Sequence, residues 1–157
     1  MEVEWPKDHK LYRGGGLPNV HQGVCVCKYL YLHFHCYFLL LQLAFFVEGK
    51  EYRVPMFLAT SDNKINCKKM FCKRATDPPV LYELRLDPEY GCMHANYVDR
   101  TNCPGEREFL FVPYSVFTVE KVTWKPNPTW MDPHEVALKV AVDNTLHSED
   151  LPLAPWH

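Results

Sequence analysis

Thirteen prolines and seven glycines punctuate this chain of 157 residues, a spacing that favours many turns and short strands over a helix bundle. Between them the apolar residues alternate. Val80, Tyr82, Leu84 and Leu86 fall on one side of one segment, and Val136, Leu138, Val140 and Val142 on one side of another. That period of two reads as half-buried strand. Strands are expected at 10–13, 51–61, 80–86, 94–98, 107–112, 115–124 and 134–142. Pro55 places the second near an edge or bulge, and Gly14-Gly15-Gly16 ends the first. A helix is expected at 65–75, capped by Asp62 or Asn63. The class is α+β, a mixed or antiparallel sheet with few helices, in a single domain over 11–157 behind a loose N-terminus at 1–10.

Charge sharpens the class further. The formal net charge of −2 gives no basic face for nucleic acid, and aromatics at 14% argue against disorder. The seven cysteines are an odd set, and residues 1–9 are polar with no signal-peptide pattern. Reduced thiols and an intracellular setting are the expectation, with Cys67 and Cys72 as buried thiols. Tyr114 and Phe117 read as core, and Trp124, Trp130 and Trp156 as packing residues.

Residues 24–47 differ from the rest, because apolar residues run almost unbroken there. A bilayer needs about 20 such residues. Lys28, His33, His35 and Gln42 interrupt the run, so a span at 29–47 is disfavoured. Cys25, Cys27, His33, His35 and Cys36 are metal-ligand types, but C-x-C and H-x-H spacing does not suit zinc, and no metal is expected. Residues 20–42 read as an insertion. Their first codon begins GT, as every valine codon does, and their last six residues suit pyrimidine-rich codons ending in CAG, the pattern of a translated intron.

Three distant pieces carry chemistry. Tyr12-Arg13-Gly14 closes one strand, Phe57-Leu58-Ala59-Thr60-Ser61 closes another, and Glu106-Arg107-Glu108 opens a third. Glu106 and Glu108 lie two apart on an expected strand, so both face the same way. Paired carboxylates suit a glycosidic bond that breaks through a cationic transition state, and an arginine on the same face is expected to bind a phosphate through its fork of donors.

The order of these pieces, continuing through Phe109-Leu110-Phe111-Val112-Pro113-Tyr114-Ser115-Val116-Phe117, resembles the R-S-E signature of arginine-specific mono-ADP-ribosyltransferases, which include bacterial toxins and vertebrate ecto-enzymes. The resemblance runs from Leu11 to about Val142, outside the apolar stretch. It implies that fold, NAD as co-substrate without a metal, and a protein arginine as acceptor. It implies Arg13, Gly14, Thr60 and Ser61 for NAD binding, with Arg13 on the phosphates. Glu108 is the implied catalytic glutamate, Glu106 orients the acceptor guanidinium, and 97–105 is the recognition turn. Two departures stand out. Ala59 replaces the first serine of the family's Ser-Thr-Ser motif, and few residues precede Arg13 where family members carry helices. An inactive interaction module and an NAD glycohydrolase are the alternatives.

Overall fold

In the computed structural model the described residues are 5–17, 45–98 and 107–154. The insertion at 20–42, its cysteines and histidines, Trp156 and Glu106 lie outside them.

The expected alternation at 80–86 builds the middle of the molecule. Strand β4 (Pro79–Arg85) sends Val80, Tyr82 and Leu84 into the main core and Leu81 to the other side. Around it stand β1 (Lys10–Gly16), β2 (Glu51–Val54), β3 (Leu58–Ser61), β5 (Ala95–Val98), β6 (Glu108–Phe111), β7 (Ser115–Thr123) and β8 (His134–Val140). They form one sheet of order β2-β7-β8-β4-β1-β3-β6-β5. Only the β4–β8 pair runs parallel; every other neighbouring pair is antiparallel. The sheet is therefore mixed, as expected for the class.

Two strand boundaries differ from the sequence expectation. Residues 51–61 divide into β2 and β3, because Pro55 has no N–H to continue a ladder. β1 does not stop at Arg13 but runs through the three glycines, which pair with Leu81, Val80 and Pro79 of β4. Glycine is needed at position 14 for room: a Cβ there would stand 2.6 Å from the Cys67 carbonyl oxygen and 2.9 Å from the Cys72 sulfur. The close approach is to a helix.

That helix, α1 (Lys64–Met70), starts at Asn63, whose side chain accepts from the Asn66 N–H. A 3-10 turn at Cys72–Arg74 follows it. Buried Cys67 and Cys72 pack on Tyr12 and Leu81, with Trp130 alongside, on the face of the sheet opposite the main core. In the main core Phe109, Phe111 and Phe117 are wholly buried. Each contributes about 1.5–3 kcal/mol relative to exposure. Trp5 stacks on Phe109 at 5.5 Å between centroids, which fastens the chain ahead of β1. Tyr114, expected in the core, is instead 54% exposed: it occupies the turn between β6 and β7 with φ of 65°. A turn at that conformation directs the ring outward.

One seam is unlike the others. β1 and β4 are in register over seven residues, but β1 meets β3 at the single pair Tyr12↔Ser61. Beyond Tyr12 the two strands part.

Candidate active site

The three motif strands are neighbours, in the order β1-β3-β6. The β3–β6 ladder runs from Leu58↔Phe111 to Ser61↔Glu108, so Ser61 and Glu108 form its last rung. Directly opposed residues of an antiparallel pair share a face, with Cβ atoms about 4.5–5.5 Å apart. The row extends through Tyr12, opposite Ser61, to Glu83, opposite Tyr12. Ser61 is 1% exposed and its Oγ accepts from the Asn63 N–H at 3.2 Å, which leaves the hydroxyl proton to donate. It supports the turn into α1 without being the cap itself. Within the row the Tyr12 phenol is pushed up to about 12, chiefly by burial.

Glu108 is half-buried. Among the described residues its carboxylate has no hydrogen-bond or ion-pair partner, so its oxygens are available on that face.

Arg13 sits one strand away but projects differently. Its register partner is Tyr82, and it lines a cavity of about 20 Å³ with Tyr52, Val54, Leu58, Tyr82, Leu84 and Leu138. Those are main-core residues, so alternation sends Arg13 to the face opposite Tyr12, Ser61 and Glu108. Its guanidinium turns into the opening between β1 and β3 and donates from Nη1 to the Ala59 carbonyl at 2.8 Å. Burial lowers its pKa, yet a guanidinium stays charged at neutral pH. No carboxylate pairs with it among the described residues. The sequence motifs thus converge on adjacent strands. Ser61 and Glu108 come together on one face, while Arg13 belongs to the other, so the expectation that the arginine shares the carboxylate's face is not met: the register of β1 against β4 turns it toward the main core, and it reaches the seam from that side.

Thr60 and Gly14 have structural tasks here. The Thr60 hydroxyl donates to the Phe109 carbonyl at 2.8 Å across β3–β6, and Gly14 backs onto α1. The sequence offered Asp62 only as a cap and Arg107 only as the middle of its motif; the structure pairs them at 3.4 Å just beyond the Ser61–Glu108 rung. Opposite charges at equivalent places beside the two motifs were the available signal.

Among the described residues no group of three or more His, Cys, Asp or Glu is placed to hold a metal. No helix there is long and apolar enough to cross a membrane.

Solved structures share this fold. The Vis toxin from Vibrio splendidus, an ADP-ribosyltransferase, superposes with a TM-score of 0.52 at 15% identity, covering 87% of this chain and 50% of that one. Vis in complex with agmatine gives 0.53 at 14% identity, over 87% of this chain and 51% of that one. The Clostridium limosum C3 exoenzyme gives 0.53 at 16%, over 88% and 62%. The fold is that of the ADP-ribosyltransferases. No family model matches the chain, and no curated protein does. The chain spans about half the length of Vis.

Proposed function

We propose that this chain transfers ADP-ribose from NAD to a protein arginine and releases nicotinamide. The observation that carries the proposal is Glu108: a half-buried carboxylate without a partner among the described residues, opposite a buried serine at the end of a ladder, in an ADP-ribosyltransferase fold.

In this reading the glycosidic bond between the nicotinamide ring and its ribose breaks, and the bonding pair leaves with nicotinamide. Glu108 stabilises the positive charge left on the ribose, and its oxygen accepts a hydrogen bond from the ribose 2′-hydroxyl. Ser61 donates to the same carboxylate or to the ribose. Arg13 binds the pyrophosphate through the β1–β3 opening. A guanidinium held with one carbonyl bond and no carboxylate retains donors for an anion. The acceptor guanidine nitrogen attacks the ribose and passes its proton to Glu106. Water in place of that nitrogen gives NAD hydrolysis.

The arginine acceptor rests on Glu106. The Glu106→Gln variant is expected to lose transfer of label from NAD to a polyarginine acceptor while still releasing nicotinamide. Normal transfer by that variant would remove the role given to Glu106.

The second reading is an inactive module that keeps the fold for binding. Ala59 in place of a serine favours it, and so does the direction of Arg13. The two readings part on one measurement, nicotinamide release from NAD by the unaltered chain.

A further inference from the structure

The backbone ladder between β3 and β6 ends at Ser61↔Glu108. Ends of strands fray, because the last rung is supported from one side only. A functional carboxylate on the last rung therefore needs something beyond it to hold its position.

The next residues outward are Asp62 and Arg107. The Arg107 Nη1 lies 3.4 Å from an Asp62 carboxylate oxygen. The Arg107 guanidinium also lies over two rings, 5.7 Å from the centroid of Tyr97 on β5 and 5.6 Å from that of Phe109 on β6. One side chain thus touches all three strand ends: β3 through the residue after Ser61, β6 through the residue after Glu108, and β5 through Tyr97. Tyr97 and Phe109 themselves pack at 5.4 Å, and Phe109 is wholly buried and stacked on Trp5. The rings form a fixed bed and the ion pair extends the ladder by one rung.

We propose that Arg107 is a positioning residue for Glu108. It latches the start of β6 to β3 and β5, so that the neighbouring carboxylate keeps its place opposite Ser61. An exposed ion pair alone is worth little, and the two rings beneath the cation are what distinguish this one. The broad guanidinium matters: lysine would keep the charge toward Asp62 but, as a compact point charge, would not cover both rings at once. The catalytic consequence rests on the transferase reading; the latch itself does not.

The test uses the full chain and two readouts. Native-state amide hydrogen exchange at Glu108 and Phe109 reads the latch directly. Arg107→Ala is expected to raise exchange at these amides about tenfold or more, Arg107→Lys by less, and Asp62→Asn in the same direction as Arg107→Ala. Nicotinamide release reads the consequence. Displacement of a catalytic group by about 1 Å costs about 100-fold in rate. Arg107→Ala is therefore expected to lower kcat about 10- to 100-fold with little change in KM for NAD, and Arg107→Lys to recover part of it. Unchanged exchange at Glu108 in Arg107→Ala overturns the inference, as does a loss confined to thermal stability with kcat intact. Should the unaltered chain release no nicotinamide while exchange at Glu108 still depends on Arg107, the latch stands and the transferase reading falls.

Discussion

Two arginines in this molecule are buried in different ways. Arg53, on β2, is 8% exposed and donates to the main-chain carbonyls of Tyr114, Asn144, His147 and Ser148. Around it the C-terminal segment is tied to the edge of the sheet. Residues 152–154 bond to the Arg53 main chain, and the Asn144 side chain accepts from the Val116 N–H. His94 and His147 pair with Asp143 and Glu51. Arg13 sits at the β1–β3 opening with one carbonyl bond. A buried cation with every guanidinium nitrogen engaged is part of the framework. One with donors to spare, beside a parted seam, is equipped to meet an anion. Residue type is alike in the two places; Arg53 is buried where Arg13 is half-buried, and the count of acceptors separates them further.

The largest expected effect tests the saturated side. Arg53→Ala strands several carbonyls at once and, at about 1–3 kcal/mol for each buried group left without a donor, should cost about 3 kcal/mol or more in denaturant unfolding. Arg13→Ala should cost only about 1.5 kcal/mol, the scale of one hydrogen bond to a charged group, yet weaken NAD binding measured by calorimetry. Equal stability losses from the two would erase the distinction.

Glycine substitutions at the seam come next. Gly14→Ala drives a Cβ into the Cys67 carbonyl, a main-chain atom that cannot rotate away, and should cost about 1–3 kcal/mol. Gly15 has no neighbour within 4 Å of such a Cβ, so Gly15→Ala should leave the unfolding midpoint unchanged or slightly raised. A tolerated Gly14→Ala would mean that α1 does not back the seam as described.

The smallest effect belongs to the C-terminal clasp and depends on pH. A hydrogen bond from His94, then the Thr145 N–H and hydroxyl, hold Asp143 down at about 2. A carboxyl whose folded pKa is depressed stabilises the fold above its ordinary value, about 3.9, and that contribution disappears as pH falls through the folded value. Asp143→Asn should therefore lower Tm at pH 7, with the difference from the unaltered chain shrinking between about pH 4 and pH 2. A difference that persists at pH 2 would assign the loss to packing instead.

How far the sequence foretold all this follows from what each signal depends on. Strands at 80–86, 115–124 and 134–142 were legible because alternation is local, and Asn63 was legible as a cap for the same reason. The parallel pairing of β4 with β8 was not, since nothing within either strand encodes its neighbour. The break at Pro55 was half legible: the residue was noted, but the separation into strands on opposite sides of the sheet order was not. The motifs brought Ser61 and Glu108 to mind together, and the ladder pairs them. The face taken by Arg13 was beyond the motif, because it depends on the register of β1 against β4. The tasks of Arg53 and Arg107 escaped notice because an arginine among apolar neighbours looks alike whether it serves the framework or a site. The acceptors that decide it are 61 to 95 residues away for Arg53. Asp62 lies beyond the motif strand for Arg107.

The central claim is that Glu108 meets a ribosyl cation formed from NAD. It is tested most directly by comparing nicotinamide release from NAD by the unaltered chain and by Glu108→Gln, with both shown to melt at the same temperature. The account predicts release by the first and a fall of about 100- to 1,000-fold in the second, the scale of removing one charge-stabilising group from a transition state. Equal release by both, or background release from both, would contradict it.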